Sequence, residues 1–233
     1  MIDSDDGKKY LMYALGEIAL VVVGILIALQ INNWNEWRKD RVIETDLLIE
    51  LHASVENNKN ILERGLRSWQ TTTQAIEILE IALNDNLPFE DSLAHHFREA
   101  HRKRGNNLQG LDFSGYKALE NKGYDILTNK DLRRSIVSLF ETNLPMLSTT
   151  NDQIDFDNSG FHSEYIIRNF ISKNEGEYPI NYEKIRNDQF YISILKKLNS
   201  NLSRKIGRVK RTLPRMEEVL KSLEEEIKRH KTN

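Results

Sequence analysis

The residue whose chemistry stands out first is Glu17, the only charge in the apolar run Tyr10 to Ile31, YLMYALGEIALVVVGILIALQI. A carboxyl in such a setting sits neutral or snorkels to nearby headgroups, meets a partner, or passes a proton or ion. On a helix Glu17, Val21, Gly24, Ala28 and Ile31 recur at steps of four, three, four and three. That stripe puts the acid on one face with Gly24-x-x-x-Ala28, a small-x-x-x-small pair that lets two backbones approach closely. The expected use is a helix self-contact at Glu17, Gly24 and Ala28, and the alternative is an ion- or proton-linked role for Glu17.

Other reactive types are less well arranged. His95 and Glu99 stand at i,i+4 beside His96 and His101, but two ligands do not make a metal site. A solvated or partly buried helix is expected there, with Arg102, Lys103 and Arg104 in its last turn before Gly105. Asp155, Asp157, Ser159 and Gly160 fall at loop positions 1, 3, 5 and 6 of a calcium-binding hand. Position 12 is Ile166, and Glu164 comes two residues early, so the stretch reads as an acidic turn between helices. From Lys196 to Met216 no acid occurs, and Lys196, Lys197, Arg204, Lys205, Arg208, Lys210 and Arg211 make a basic outer face. Anionic lipid or nucleic acid could use it; because charges balance elsewhere, a bundle helix paired with acidic runs is the expectation.

No Gly-rich phosphate loop, G-x-S-x-G elbow or H-E-x-x-H pattern occurs, and with no cysteine there is no thiol chemistry. The chain reads as non-enzymatic, without cofactor or metal, and an enzyme of unrecognised type is the second alternative. Setting aside Lys8, Lys9, Asp3, Asp5, Asp6 and Glu17, the 33 basic and 35 acidic residues reduce to equal numbers. Long-range steering of nucleic acid is therefore not expected.

The element that must carry Glu17 is a helix. Residues 10–31 at about 1.5 Å each reach roughly 33 Å, enough for a hydrocarbon core of about 30 Å. A cleaved signal peptide is the rival, but its apolar region is shorter and ends in small residues. Here the run ends in Gln30, Asn32, Asn33 and Trp34. Tyr10, Tyr13, Trp34 and Trp37 bracket it as interface anchors, and Arg38 follows with Lys39 and Arg41.

The run YLMYALGEIALVVVGILIALQINNWNEWRK resembles the hallmark of an uncharacterised family of single-span membrane proteins of Gram-negative bacteria, a domain of unknown function. SGYKALENKGYDILTNKDLRR, from Ser114 to Arg134, is similar to that family's downstream motif. The resemblance implies architecture and location only: a cytoplasmic N-terminus, an inner-membrane span and a periplasmic domain. The family's strongly basic N-terminal arm is reduced here to Lys8 and Lys9.

Beyond the span, Leu48, Leu51, Val55, Leu62, Trp69, Ile76, Leu79 and Leu83 keep a three-four spacing, with Asn58, Gly65 and Thr73 between. This predicts one long helix, with Asn57-Asn58 or Gly65 as places for a break and Asn84 to Pro88 as its stop. Ser114 is the expected cap of a helix to Lys122, Gly123 its end, and Asn129 the cap of the next, whose apolar face is Ile136, Leu139 and Phe140. This is a packing corner rather than a DNA reader. Glu175 to Asn181 reads as a loop. Ile192, Leu195, Leu198, Leu202, Ile206, Val209 and Leu213 form an amphipathic helix, and Pro214 opens a solvated one with pairs Glu224–Lys228 and Glu225–Arg229.

The expected protein is all-α: a tail at 1–9, a transmembrane helix at 10–31, a stalk at 32–84 and a helical bundle packing on it at 85–233. Its expected role is a membrane-anchored scaffold or interaction module whose partners are the bilayer, copies of itself and other envelope proteins, with no nucleic acid.

Overall fold

The three-four apolar spacing holds its phase from Leu48 to Leu83 with no proline to break it, and none of the expected breaks occurs. The computed structural model describes residues 4–101, 110–147 and 161–232; the side chains of 4–12 and 161–163 lie outside that description. Helix α1 runs Ser4–Asn84, 81 residues, or about 120 Å at 1.5 Å per residue. It passes Asn57, Asn58 and Gly65 unbroken. It ends where Asn86 takes a left-handed φ of 55° and Leu87 N–H returns to Ala82 O at 3.0 Å, a Schellman-type stop sealed by Pro88.

Two further helices precede the next gap in pattern: α2, Asp91–His101, and α3, Ser114–Lys122. A 3₁₀ turn, Tyr124–Ile126, leads to α4, Lys130–Val137, which continues as a π segment, Ser138–Asn143, and as helix over 144–147. Then come α5, Phe161–Asn169, strands β1, Phe170–Ser172, and β2, Glu177–Pro179, α6, Tyr182–Arg186, and α7, Gln189–Thr232. At 86% helix and 3% strand the fold is all-α.

The second long helix, α7, lies antiparallel along α1: His230 meets Thr45, Glu224 meets His52, Glu217 meets Lys59 and Lys205 meets Trp69. All eight apolar residues of the predicted α1 stripe are buried. Two clusters result. The first joins the Leu47–Trp69 part of α1 to α3, α4, the π segment and the far half of α7; the second joins Ile76–Leu83 to α2, β1, α6 and the near half of α7.

Three expectations are corrected in this region. Pro214 does not open a segment; it sits inside α7. Its ring and Lys210, whose carbonyl loses its amide partner, are both exposed, so water takes the freed acceptor while Val209, Met216, Val219 and Leu223 stay in phase in the core. The end of α7 is accordingly not a solvated helix: Glu226 is buried, and Arg229 pairs with Glu226 at 2.9 Å. Ser114 is not a cap but the first helical residue, and Asp112 Oδ1 accepts from its N–H and its hydroxyl at 2.8 and 2.6 Å. Those bonds hold the Asp112 carboxyl below its ordinary range.

At the end far from the apolar run, the expected loop at Glu175 to Asn181 contains β2, paired antiparallel with β1. Gly176 makes this hairpin fit: a Cβ there would lie 2.4 Å from the carbonyl carbon of Ala94 in α2.

Candidate functional site

From residue 13 to residue 39 every described side chain of α1 is exposed. An 18-residue apolar window is entirely unburied, and this is the one helix among the described residues long and apolar enough to cross a membrane. Glu17, Gly24 and Ala28 are exposed on it, and a Cβ on Gly24 would meet nothing within 4 Å. Tyr13, Trp34, Trp37 and Arg38 are exposed as well, while Tyr10 belongs to α1 by its backbone and its side chain lies outside the described residues. Arg38 folds back one turn, its guanidinium carbon 5.9 Å from the Trp34 ring centre, and Arg41 repeats this over Trp37 at 5.9 Å. Side chains on a helix lean toward its N-terminus, which here is the direction of the apolar run.

At those arginines α1, the Thr128–Asn129 corner and the end of α7 border a cleft of about 820 Å³. A polar network lines and underlies it. Glu44, fully buried, accepts from Thr128 N–H at 2.7 Å, from Thr128 Oγ1 at 3.0 Å and from Arg41. Glu226 accepts from Asn129 Nδ2 and Arg229, both at 2.9 Å. Between the two acids stands His230, its Nε2 3.6 Å from Glu44 and 3.5 Å from Glu226, with Nδ1 3.0 Å from Thr45 Oγ1. Burial lowers the His230 pKa against the opposing pull of Glu226. Asn129 thus holds two jobs, since its Oδ1 also caps α4 through Asp131 and Leu132 N–H.

The polar residues interrupting the α1 seam are therefore docking points for the corner that opens at Ser114. Asn58 exchanges two hydrogen bonds with the Asp112 backbone, at 2.7 and 2.6 Å. Ser54 Oγ accepts from Gly115 N–H at 3.1 Å. Glu44 takes Thr128. Sequence reasoning saw Asn58 as a place for a break and overlooked Glu44, Glu226 and His230. The available signal was the stripe Met216, Val219, Leu223, Ile227, which keeps its period past Pro214.

A second buried network lies in the distal cluster. His101 is not a solvated residue: it is 6% exposed, with Nδ1 on Glu177 and Nε2 2.7 Å from the Tyr191 hydroxyl. A carboxylate only accepts, so Nδ1 carries the proton and Nε2 accepts from Tyr191 in the neutral imidazole. Burial holds the His101 pKa down in spite of Glu177 and raises that of Tyr191. Asp188, which burial would raise, is kept low by the Tyr165 hydroxyl at 2.6 Å and by the amides of Phe190 and Tyr191. Of the histidine group His95 is exposed while Glu99 is buried. Among the described residues no group of three or more His, Asp or Glu could hold a metal ion.

The basic face of α7 is less uniformly solvated than its sequence suggests. Lys205 is buried with its ammonium 5.5 Å from the Trp69 ring centre. Trp69 stands roughly 57 Å along α1 from Ile31 at 1.5 Å per residue, so this face lies far from the end of the apolar run. Arg102 to Gly105 and the acidic stretch with Asp155, Asp157, Ser159 and Gly160 lie outside the described residues.

No curated protein and no solved structure matches the chain. The second family-like stretch, Ser114 to Arg134, lies beyond the residues matched to a family model. Residues 17–90, from the acid of the apolar run to the turn before α2, match the model of the Family of unknown function (DUF6090), in agreement with the uncharacterised family that the anchor sequence resembles.

Proposed function

We propose that the chain is a membrane-anchored helical scaffold, working as a self-associating interaction module of the bacterial inner membrane with residues 32–233 in the periplasm. The observation that carries this reading is the continuity of α1, in which an apolar stretch bare of protein and the seam of the bundle core belong to one unbroken helix. An apolar face that the chain itself leaves uncovered is matched to lipid or to a second copy. The bundle then stands as a rigid head on that anchor. Within the span, Glu17, Gly24 and Ala28 make the self-contact, where close approach lets one carboxyl meet its copy away from lipid.

The test is cross-linking of the intact chain in bilayers. Gly24→Leu, which puts a bulky side chain on the contact face, is expected to reduce the oligomer by about fivefold, the scale of a 1 kcal/mol loss. An unchanged oligomer overturns the self-contact. Because the chain has no cysteine, a single introduced Cys in the head reports the side of the membrane by its labelling. Extraction of the wild-type chain by alkaline carbonate would overturn the anchor itself.

A further inference from the structure

The cleft between α1, the Thr128–Asn129 corner and the end of α7 begins at Trp37, nearly two turns past the end of the apolar run, and its rim is built differently from its floor. Of the acids at the cleft, Glu44 beneath it is engaged by Thr128 and Arg41, and Glu226 in its lining by Asn129 and Arg229, while Asp46, also in the lining, is exposed to solvent. The rim carries Trp37 and Val42, more than half exposed, and Arg38. Arg41 Nε is buried and has no acceptor among the described residues. A guanidinium nitrogen in that condition favours an incoming oxyanion.

Level along α1 decides which anion. The Arg38 guanidinium lies at the height of Trp34, three residues past Ile31 and so about 4.5 Å along the axis. The polar layer of a leaflet is roughly 5–8 Å deep. The Arg41 guanidinium lies a turn higher, at Trp37. Resting on the anchored reading above, we propose that this cleft seats the headgroup of an anionic phospholipid. Arg38 takes the phosphate with Arg41 behind it, and the glycerol portion lies against Trp37 and Val42. Arg suits the role because its planar, weakly hydrated fork binds phosphate in two bonds. The apolar rim suits the part of the lipid next to the phosphate.

The experiment uses the full chain in neutral detergent, presented with phosphatidylglycerol, phosphatidylcholine or inorganic phosphate, and native mass spectrometry counts the molecules retained. Phosphatidylglycerol is expected to be retained over phosphatidylcholine. Arg38→Gln should lower its retention about fivefold, the effect of one basic group near an anionic surface. Lys39→Gln removes the same charge from a residue that does not line the cleft, and should leave retention unchanged. Equal losses in the two variants, equal retention of the two lipids, or displacement by inorganic phosphate would each overturn the proposal. Arg38 is exposed and serves no core contact, so its variant is expected to keep the wild-type melting curve. Carbonate extraction of both chains separates the two readings: a chain that stays in the membrane yet shows no lipid preference sinks this proposal alone.

Discussion

Gly115→Ala and Gly207→Ala are the same chemical change in two helices, and the packing requires opposite signs. A Cβ on Gly115 would lie 2.7 Å from Glu50 O and 2.8 Å from Leu51 N. Both atoms are backbone of α1, so no side chain can swing away. Ordinary contact needs about 3.5 Å, and α3 must back off by roughly 0.8 Å. Overpacking of this kind costs about 1–3 kcal/mol, and the Gly115 N–H bond to Ser54 Oγ at 3.1 Å weakens with it. The gain from replacing a helical glycine is about 0.5–1 kcal/mol. The net expectation is a loss of about 1–2 kcal/mol. At about 2–4 °C per kcal/mol for a chain of this size, the midpoint falls by several degrees. For Gly207 the nearest atom is Arg211 Nη1 at 3.9 Å, ordinary contact, so only the gain remains and the midpoint rises. Thermal unfolding of the intact chain in detergent, followed by emission from the buried Trp69, reads both. A Gly115→Ala chain as stable as wild type would refute the close approach of α3 to α1.

Other perturbations test the rest of the fold. His101 is held neutral because burial lowers its pKa, while an unfolded histidine titrates near about 6.5. The unfolded chain then binds the proton first as pH falls, so this contribution to stability is complete above about pH 6.5 and is lost below it. His101→Gln should lower stability at neutral pH, by about 1–3 kcal/mol for the stranded Glu177 and Tyr191 groups, and flatten the acid slope; an unchanged slope in denaturant titrations counts against the assignment. Pro214→Ala restores an amide facing the exposed Lys210 carbonyl and should stabilise by about 1–3 kcal/mol. A loss there would mean that the proline-bearing turn serves packing.

What was legible in the chain was what repeats. Leu48 to Leu83 announce α1 because apolar residues at three-four spacing can face only one side of a helix. Gly123, with a φ of 97°, and Asn129 announce the corner through local chemistry alone. The polar clamps were illegible for the converse reason. Asn58 finds its partner 54 residues away and Glu44 finds Thr128 84 residues away, so nothing near either in sequence marks the match. His101 depends likewise on Glu177 and Tyr191. The hairpin of β1 and β2 carries only three residues a strand, too few for alternation to register. Gly176 against Ala94 places it, and that is a tertiary contact. Pro214 misled because a helix stop was inferred from one residue where the apolar phase on either side was unbroken.

An uninterrupted α1 also sets a bearing. With about 100° per residue, the cleft-lining side of Arg38, Arg41 and Thr45 is turned roughly a quarter of a revolution from the side of Glu17, Gly24 and Ala28. Copies abutting through the latter would leave the former open to one flank. Inserting a single residue near Trp34 would swing the entire head through about 100° about its own shaft, and the two directions would lose their fixed angle.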